Sequence, residues 1–423
     1  MNKRITTLTA GTVLVALAVT GCSTKAKESS SGGSGASGSL KTDVGVTDKE
    51  INLAVQTDTS GVFKVLGLGL THGNELWAED VNKAGGICGR TVKLDIQDNG
   101  YKADNALPLY ETQKASNLGF VQLIGSPILA ALKTKIIADK VSVVTASWAS
   151  SNLDAPEVMM IGQTYDIEMI NGLAWAQKQG KIKDGDKIGH IYVDSEYGQN
   201  AYKGAKWYAD KHDIELLGAA VQSTDVDMTA TITKFKSEGV TAILVTTPPA
   251  ATGSVVLQNV QQGLNVPVLG SSPTFSTTLL KDESVTAALS NFYSSYTFDA
   301  FGTGSGNETV AKVEEEYKAG YTDPADDSIT GGYASGLVLE AVLKKACDNG
   351  DMTRAGVLEA RKQLDSVDTK GITGTLDLTD PGAPTSREGI IMTIDPQAIV
   401  GLKAVTKFEA SDEAKEYKTP YEK

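Results

Sequence analysis

Three histidines, His72, His190 and His212, stand singly in the chain, and each reads as an ordinary helix or strand residue rather than a base or metal ligand. A hydrolase of the α/β type would carry a Gly-x-Ser-x-Gly turn that holds its nucleophile out of the backbone. A zinc protease would carry His-Glu-x-x-His, which puts two ligands on one helix face; neither motif occurs. There is no Gly-x-x-x-x-Gly-Lys-Ser/Thr loop to cradle phosphates. Gly67-Leu68-Gly69 does not complete a dinucleotide fingerprint, and Gly302-Thr303-Gly304-Ser305-Gly306 lies in a turn-like segment with no strand before it. Asp225 and Asp227, and the pair Asp326-Asp327, lack the spacing of a calcium loop and read as solvated acidic loops. The residues that could do chemistry therefore point away from catalysis, and neither metal nor cofactor is expected. What remains is recognition by hydroxyl, amide and aromatic groups on loops.

Those loops need a scaffold. Lys and Arg total 39 against 52 Asp and Glu, a net charge of −13, so the basic footprint of a nucleic-acid binder is missing. At 423 residues with 41% hydrophobic content, the chain is long enough for two globular cores. Short β-rich runs (Ile51–Val55, Thr91–Ile96, Phe120–Ile124, Val141–Val144) alternate with amphipathic stretches, such as the one carrying Leu66, Leu70, Trp77 and Val81 at helical spacing. This pattern predicts α/β architecture with parallel sheets covered on both faces. A second set follows at Lys187–Val193, Ile214–Gly218, Thr241–Val245 and Val266–Leu269, so two doubly wound, Rossmann-like units are expected in succession. Further on, helices are predicted over about 330–347 and up to about Leu364, and strands over Gly371–Leu376 and Ile390–Ile394.

The N-terminus has basic Lys3 and Arg4, a short apolar run from Ile5 to Val19, and small residues before Cys22. Val19-Thr20-Gly21-Cys22 resembles a bacterial lipobox, which predicts a signal peptide over 1–21 and a diacylglyceryl anchor on Cys22. Residues 22–45, rich in Ser and Gly, are expected to be a flexible tether. Nothing beyond the first twenty residues is long and apolar enough to span a bilayer, so the lipid would be the sole membrane attachment. Export permits oxidised cysteines, and we expect a Cys88–Cys347 disulfide; two free buried thiols are the alternative.

An ordered series of segments carries a more specific signal. Ser60-Gly61-Val62-Phe63, Leu66-Gly67 and Ala78 through Arg90 resemble the opening of bacterial branched-chain amino-acid-type substrate-binding proteins. The similarity continues through Leu94–Asp98, Tyr192–Gly198, Phe235–Gly239, Tyr333–Gly336 and Gly371–Gly374, covering about Ile51 to Ala404. The resemblance implies a type I periplasmic-binding-protein fold, two α/β lobes joined by a three-crossover hinge. Lobe 1 would comprise 46–163 and 294–382, lobe 2 164–293 and 383–406, with 407–423 a C-terminal tail. It also implies a non-enzymatic monomer at the outer face of the cytoplasmic membrane, handing a small molecule to an ABC permease and its ATPase subunits. A ligand sensor for a membrane signalling protein would use the same fold.

The fold places ligands beyond the carboxyl ends of the strands. Expected binding residues are Asp58, Ser60, Ser126, Ser147, Trp148 and Ala149 in lobe 1, and Tyr197, Thr247 and Ser272 in lobe 2. In the family the loop matching Ser147–Ala149 grips a carboxylate, and Ala149 replaces its usual threonine. Ser272 stands where amino-acid binders commonly place the acid that neutralises the ammonium group. The ligand is thus expected to be an amino acid with Asp58 or Glu196 as substitute partner, or an aromatic or other organic acid without an ammonium. Trp148 would either stack on such a ligand or pack within the lobe.

Overall fold

The structure is a computed structural model and describes residues 40–423. The predicted signal peptide, Cys22 and most of the tether lie outside the described residues. The last residues of the expected tether are structured: strand β1 (Lys41–Thr42) is paired, and the Lys41 N–H donates to Gly350 O at 3.1 Å.

The first sheet contains β2 (Glu50–Thr57), β3 (Thr91–Asp98), β4 (Gly119–Ile124), β5 (Val143–Ala146) and β6 (Val158–Met160), all parallel, in the order β3-β2-β4-β5-β6. Its central strands are apolar runs covered on both faces; every residue of β4 is buried. The helix Lys64–Lys83 follows β2 closely, and Gly67 permits the approach, since a Cβ there would lie 2.0 Å from the Asp58 carbonyl oxygen. That helix packs along Ser328–Asp348. Trp77 sits over Gly336 and donates its indole N–H to Glu340 Oε2 at 2.9 Å, while Asn74 Nδ2 donates to Gly332 O at 2.8 Å.

The second sheet starts with β7 (Lys187–Val193), β8 (Glu215–Val221), β9 (Ala242–Thr246), β10 (Val268–Gly270) and β11 (Phe292–Tyr296). The chain then returns to the first lobe, where β12 (Asp351–Met352) pairs with β1. It comes back as β13 (Ile390–Ile394) and β14 (Leu402–Ala404), which add antiparallel to β11, for the order β14-β13-β11-β10-β9-β7-β8. The three crossovers are tied side by side. The Gly162 N–H donates to Thr385 Oγ1 at 2.8 Å, and Gln163 Nε2 donates to Ser295 Oγ and Tyr296 O, each at 3.1 Å.

Three details differ from the sequence expectations. Strand β11 stays in the second sheet through Tyr296, so that lobe does not hand over at Tyr293. Gly371–Leu376 is not a strand. Lys370 and Gly371 take positive φ (58° and 75°), the Thr369 and Thr373 hydroxyls bond each other, and only a single bridge, Phe298 to Thr373, remains. The tail 407–423 is docked: helix Asp412–Glu416 lies on Tyr165–Lys178, Tyr417 OH donates to Asp166 Oδ2 at 3.1 Å, and Arg387 pairs with Glu422.

Cys88 and Cys347 are bonded, with Cα atoms 6.3 Å apart. Both sit at the far ends of the packed helices from the interlobe cleft.

Candidate ligand-binding cleft

The carboxyl ends of β2, β4 and β5 meet those of β7, β9 and β10 across the space between the lobes, and a cavity lies between them. Its first-lobe wall is Phe63, Leu66, Leu70, Tyr101, Ile124, Trp148 and Phe298; the facing wall is Tyr165, Tyr197, Pro273, Phe275 and Tyr296. Ring centroids lie 4.6 Å apart for Tyr165 and Tyr197, 4.8 Å for Phe63 and Tyr101, and 6.5 Å for Phe63 and Tyr197, the pair that spans the cleft. Besides the tyrosine phenols and the Trp148 indole, the polar lining is Ser126, Ser272, Asp326, Asp327 and Ser328; among the described residues no Lys, Arg or His lines the cavity. Among the described residues no group of three or more His, Cys, Asp or Glu is placed to hold a metal ion.

Four expected residues line this cavity: Ser126, Trp148, Tyr197 and Ser272. Gly125, at φ 109°, makes the turn that delivers Ser126, and a side chain there would crowd Tyr101. Trp148 contributes to the wall and packs edge-on against Tyr165 and Phe298, at 5.9 and 6.0 Å. The Tyr197 phenol shares a 2.7 Å hydrogen bond with Ser271 Oγ.

The other five do not line it. Asp58 is fully buried and accepts the backbone N–H groups of Ser60, Gly61 and Phe63, so it and Ser60 shape the loop that presents Phe63. Ser147 is buried and its hydroxyl donates to Ser126 Oγ at 2.8 Å; Ala149 is buried without a polar side chain. Thr247 is turned inward to Thr252, 3.0 Å away. Glu196, considered as a substitute charge, accepts from Asn152 at 3.2 Å across the lobes.

The acids are where sequence reasoning missed most. Asp326 and Asp327, expected in a solvated loop, are 3% and 5% exposed. Asp326 accepts the Ser328 N–H and hydroxyl and the Thr277 N–H; Asp327 accepts the Phe301 N–H at 2.8 Å. Burial raises both carboxyl groups above the usual range, Asp327 well above it. Glu168 lies behind Ser272, which donates to it through both its hydroxyl and its N–H. Its complete burial outweighs those bonds and pushes it up to about 8. Its place in the first turn of Tyr165–Lys178 looks in sequence like an exposed helix-start acid. The aromatic wall was partly legible, since Phe63 and Phe275 flank the serine loops already singled out.

The model of the periplasmic binding protein family matches residues 50–398. A fatty acid ABC transporter substrate-binding protein from Thermomonospora curvata is 32% identical and superposes with a TM-score of 0.86, over 90% of this chain and 97% of that one. A branched-chain amino acid ABC transporter protein from Thermus thermophilus with bound valine shares the fold at 15% identity and TM-score 0.75, over 88% of this chain and 99% of that one. A leucine-binding protein from Thermotoga maritima does so at 17% identity and TM-score 0.71, over 86% and 99%. No curated protein sequence matches the chain. The chain belongs to the periplasmic binding protein family, with a type I fold. It is a transport substrate-binding protein of the kind that serves ABC transporters, not an enzyme. No helix among the described residues is long and apolar enough to cross a membrane.

Proposed function

We propose that this protein captures an organic acid with an extended apolar body, an alkyl or aromatic acid without an ammonium group, between its lobes and delivers it to an ABC permease. The observation that carries this reading is the cavity wall: aromatic and aliphatic side chains on both lobes, few polar groups and, among the described residues, no cationic one. Such a wall stabilises an apolar body by about 25 cal/mol per Å² of surface removed from water. The fatty-acid assignment of the Thermomonospora curvata relative supports the same class. An α-amino acid fits less well, because the carboxylate loop at Ser147 has its hydroxyl engaged with Ser126, and Ser272 screens Glu168 from the cavity.

In this reading Cys22 carries the lipid, residues 23–40 form the tether, and the monomer works at the outer face of the cytoplasmic membrane. Ligand bridging both walls would favour the closed arrangement of the lobes, which the permease recognises. Thermal shift against a panel tests the ligand class, because a ligand that binds only the folded state raises the midpoint. Medium-chain or aromatic acids should raise it and α-amino acids leave it unchanged; the reverse pattern would overturn the reading.

A further inference from the structure

We propose that Asp326 and Asp327 select the ligand's carboxyl group in its neutral, protonated form, so that each acid bound carries one proton into the closed cleft. The inference rests on the apolar-acid reading above and adds how the polar end is recognised.

The argument starts from what the cavity lacks. A carboxylate taken out of water needs a cation or several hydrogen-bond donors, or its burial costs more than the apolar body returns. Among the described residues no cationic side chain lines this space. The hydroxyl of Ser147 is spent on Ser126. The Trp148 indole N–H, buried in the wall, has no partner among the described residues, a neutral donor where an ionised head needs several.

The polar part of the lining instead holds carboxyl groups. Asp326 and Asp327 stand in the wall, at the start of the helix Ser328–Asp348. Asp299, on the segment leaving β11, acts on Asp327 and is itself raised to about 6, chiefly by burial. Glu168 lies behind Ser272 on the facing wall. Asp58, below the Phe63 loop, is held by three backbone N–H groups. The phenols of Tyr165, Tyr197 and Tyr296 are kept protonated by burial, largely within the same set of acids. An ionised ligand head would meet carboxyl groups and no counter-ion here. A protonated one can donate to a carboxyl oxygen and accept from a neutral carboxyl, as paired carboxylic acids do.

The chemistry balances without any further reactant: a carboxylate in solution takes a proton from solvent or buffer as it enters, and returns it on release. Octanoate, octan-1-ol, octane-1-sulfonate and octylamine share one apolar body and differ in the head, so calorimetric titration of each across the neutral pH range separates the cases. The protein used is the full chain with Cys22→Ala, which removes the acylation nucleophile and the need for detergent. Octanoate should take up about one proton, seen as a dependence of the heat on buffer ionisation, and its Kd should weaken about tenfold per pH unit. Octan-1-ol should bind with no pH dependence, and the sulfonate, ionised throughout, roughly 100-fold more weakly than octanoate at the acid end.

In Asp326→Asn/Asp327→Asn the shape stays and both acids go, so the octanoate slope should largely flatten and the sulfonate gain affinity. Octanoate binding without proton uptake or pH slope would overturn the proposal, as would an unchanged slope in the double variant. Tightest binding by octylamine would overturn it too, by making the acids counter-ions. If neither octanoate nor octan-1-ol binds, it is the apolar-ligand reading that fails. The wild-type titrations stand by themselves if the double variant does not fold.

Discussion

The hydroxyl of Ser272, on the wall of the cleft, donates to the carboxyl of Glu168, which is wholly buried behind it. The position that looks in sequence like a missing acid is thus backed by an acid from another helix.

Glu168 should make the ligand-free protein less stable as pH rises. Its folded value, about 8, lies above the ordinary 4.5, so the folded form holds the proton through a window in which the unfolded chain has lost it. The stabilising contribution is complete below the unfolded value and is lost as pH climbs toward 8. The change should be on the order of a few kcal/mol. Glu168→Gln should flatten the melting temperature between these limits and raise it at the alkaline end. A wild-type melting temperature unaffected by pH across that window, or a variant with the same slope, would show that the carboxyl does not carry this proton.

Tyr197 closes one side of the cavity and faces Phe63 across it. Tyr197→Phe keeps the ring and loses the bond to Ser271, so affinity should change only a few-fold. Tyr197→Leu removes the ring face and should weaken binding about tenfold or more, the worth of an aromatic contact beyond its area. Equal affinities for wild type and Tyr197→Leu, measured by calorimetry, would remove Tyr197 from the site.

The Cys88–Cys347 bond joins positions 259 residues apart, and constraint of the unfolded chain by so long a loop is worth about 5 kcal/mol on the chain-entropy model. It lies at the opposite ends of the two packed helices from Phe63 and Asp327. Cys88→Ser/Cys347→Ser should therefore lower the melting temperature by several degrees and leave Kd within about twofold. A large loss of affinity in a variant that is still folded would mean that the bridge holds the cleft wall in place.

The sheets were readable in the sequence because their strands are short apolar runs between helical stretches; β2, β4 and β7 fall where the pattern puts them. Gly371–Leu376 misled because Thr and Ile suit a strand, whereas the flanking Lys370 and Gly371 turn the chain. For the site, strand ends were legible and side-chain direction was not. Ser126, Trp148, Tyr197 and Ser272 reach the cavity, while Asp58, Ser147 and Thr247 sit on equally placed loops and turn inward to local partners. Glu168, Asp326 and Asp327 were hidden for a related reason: an acid near a helix start normally faces water, and these three are buried by tertiary packing that the sequence does not display.

The most direct test of the central claim is a calorimetric titration of the protein with octanoate and, separately, with leucine. The cavity described here predicts saturable binding of octanoate, one per protein, and no detectable heat with leucine. Saturable binding of leucine without octanoate would contradict it, and would mean that Glu168 or Asp327 serves as the counter-ion of an ammonium group.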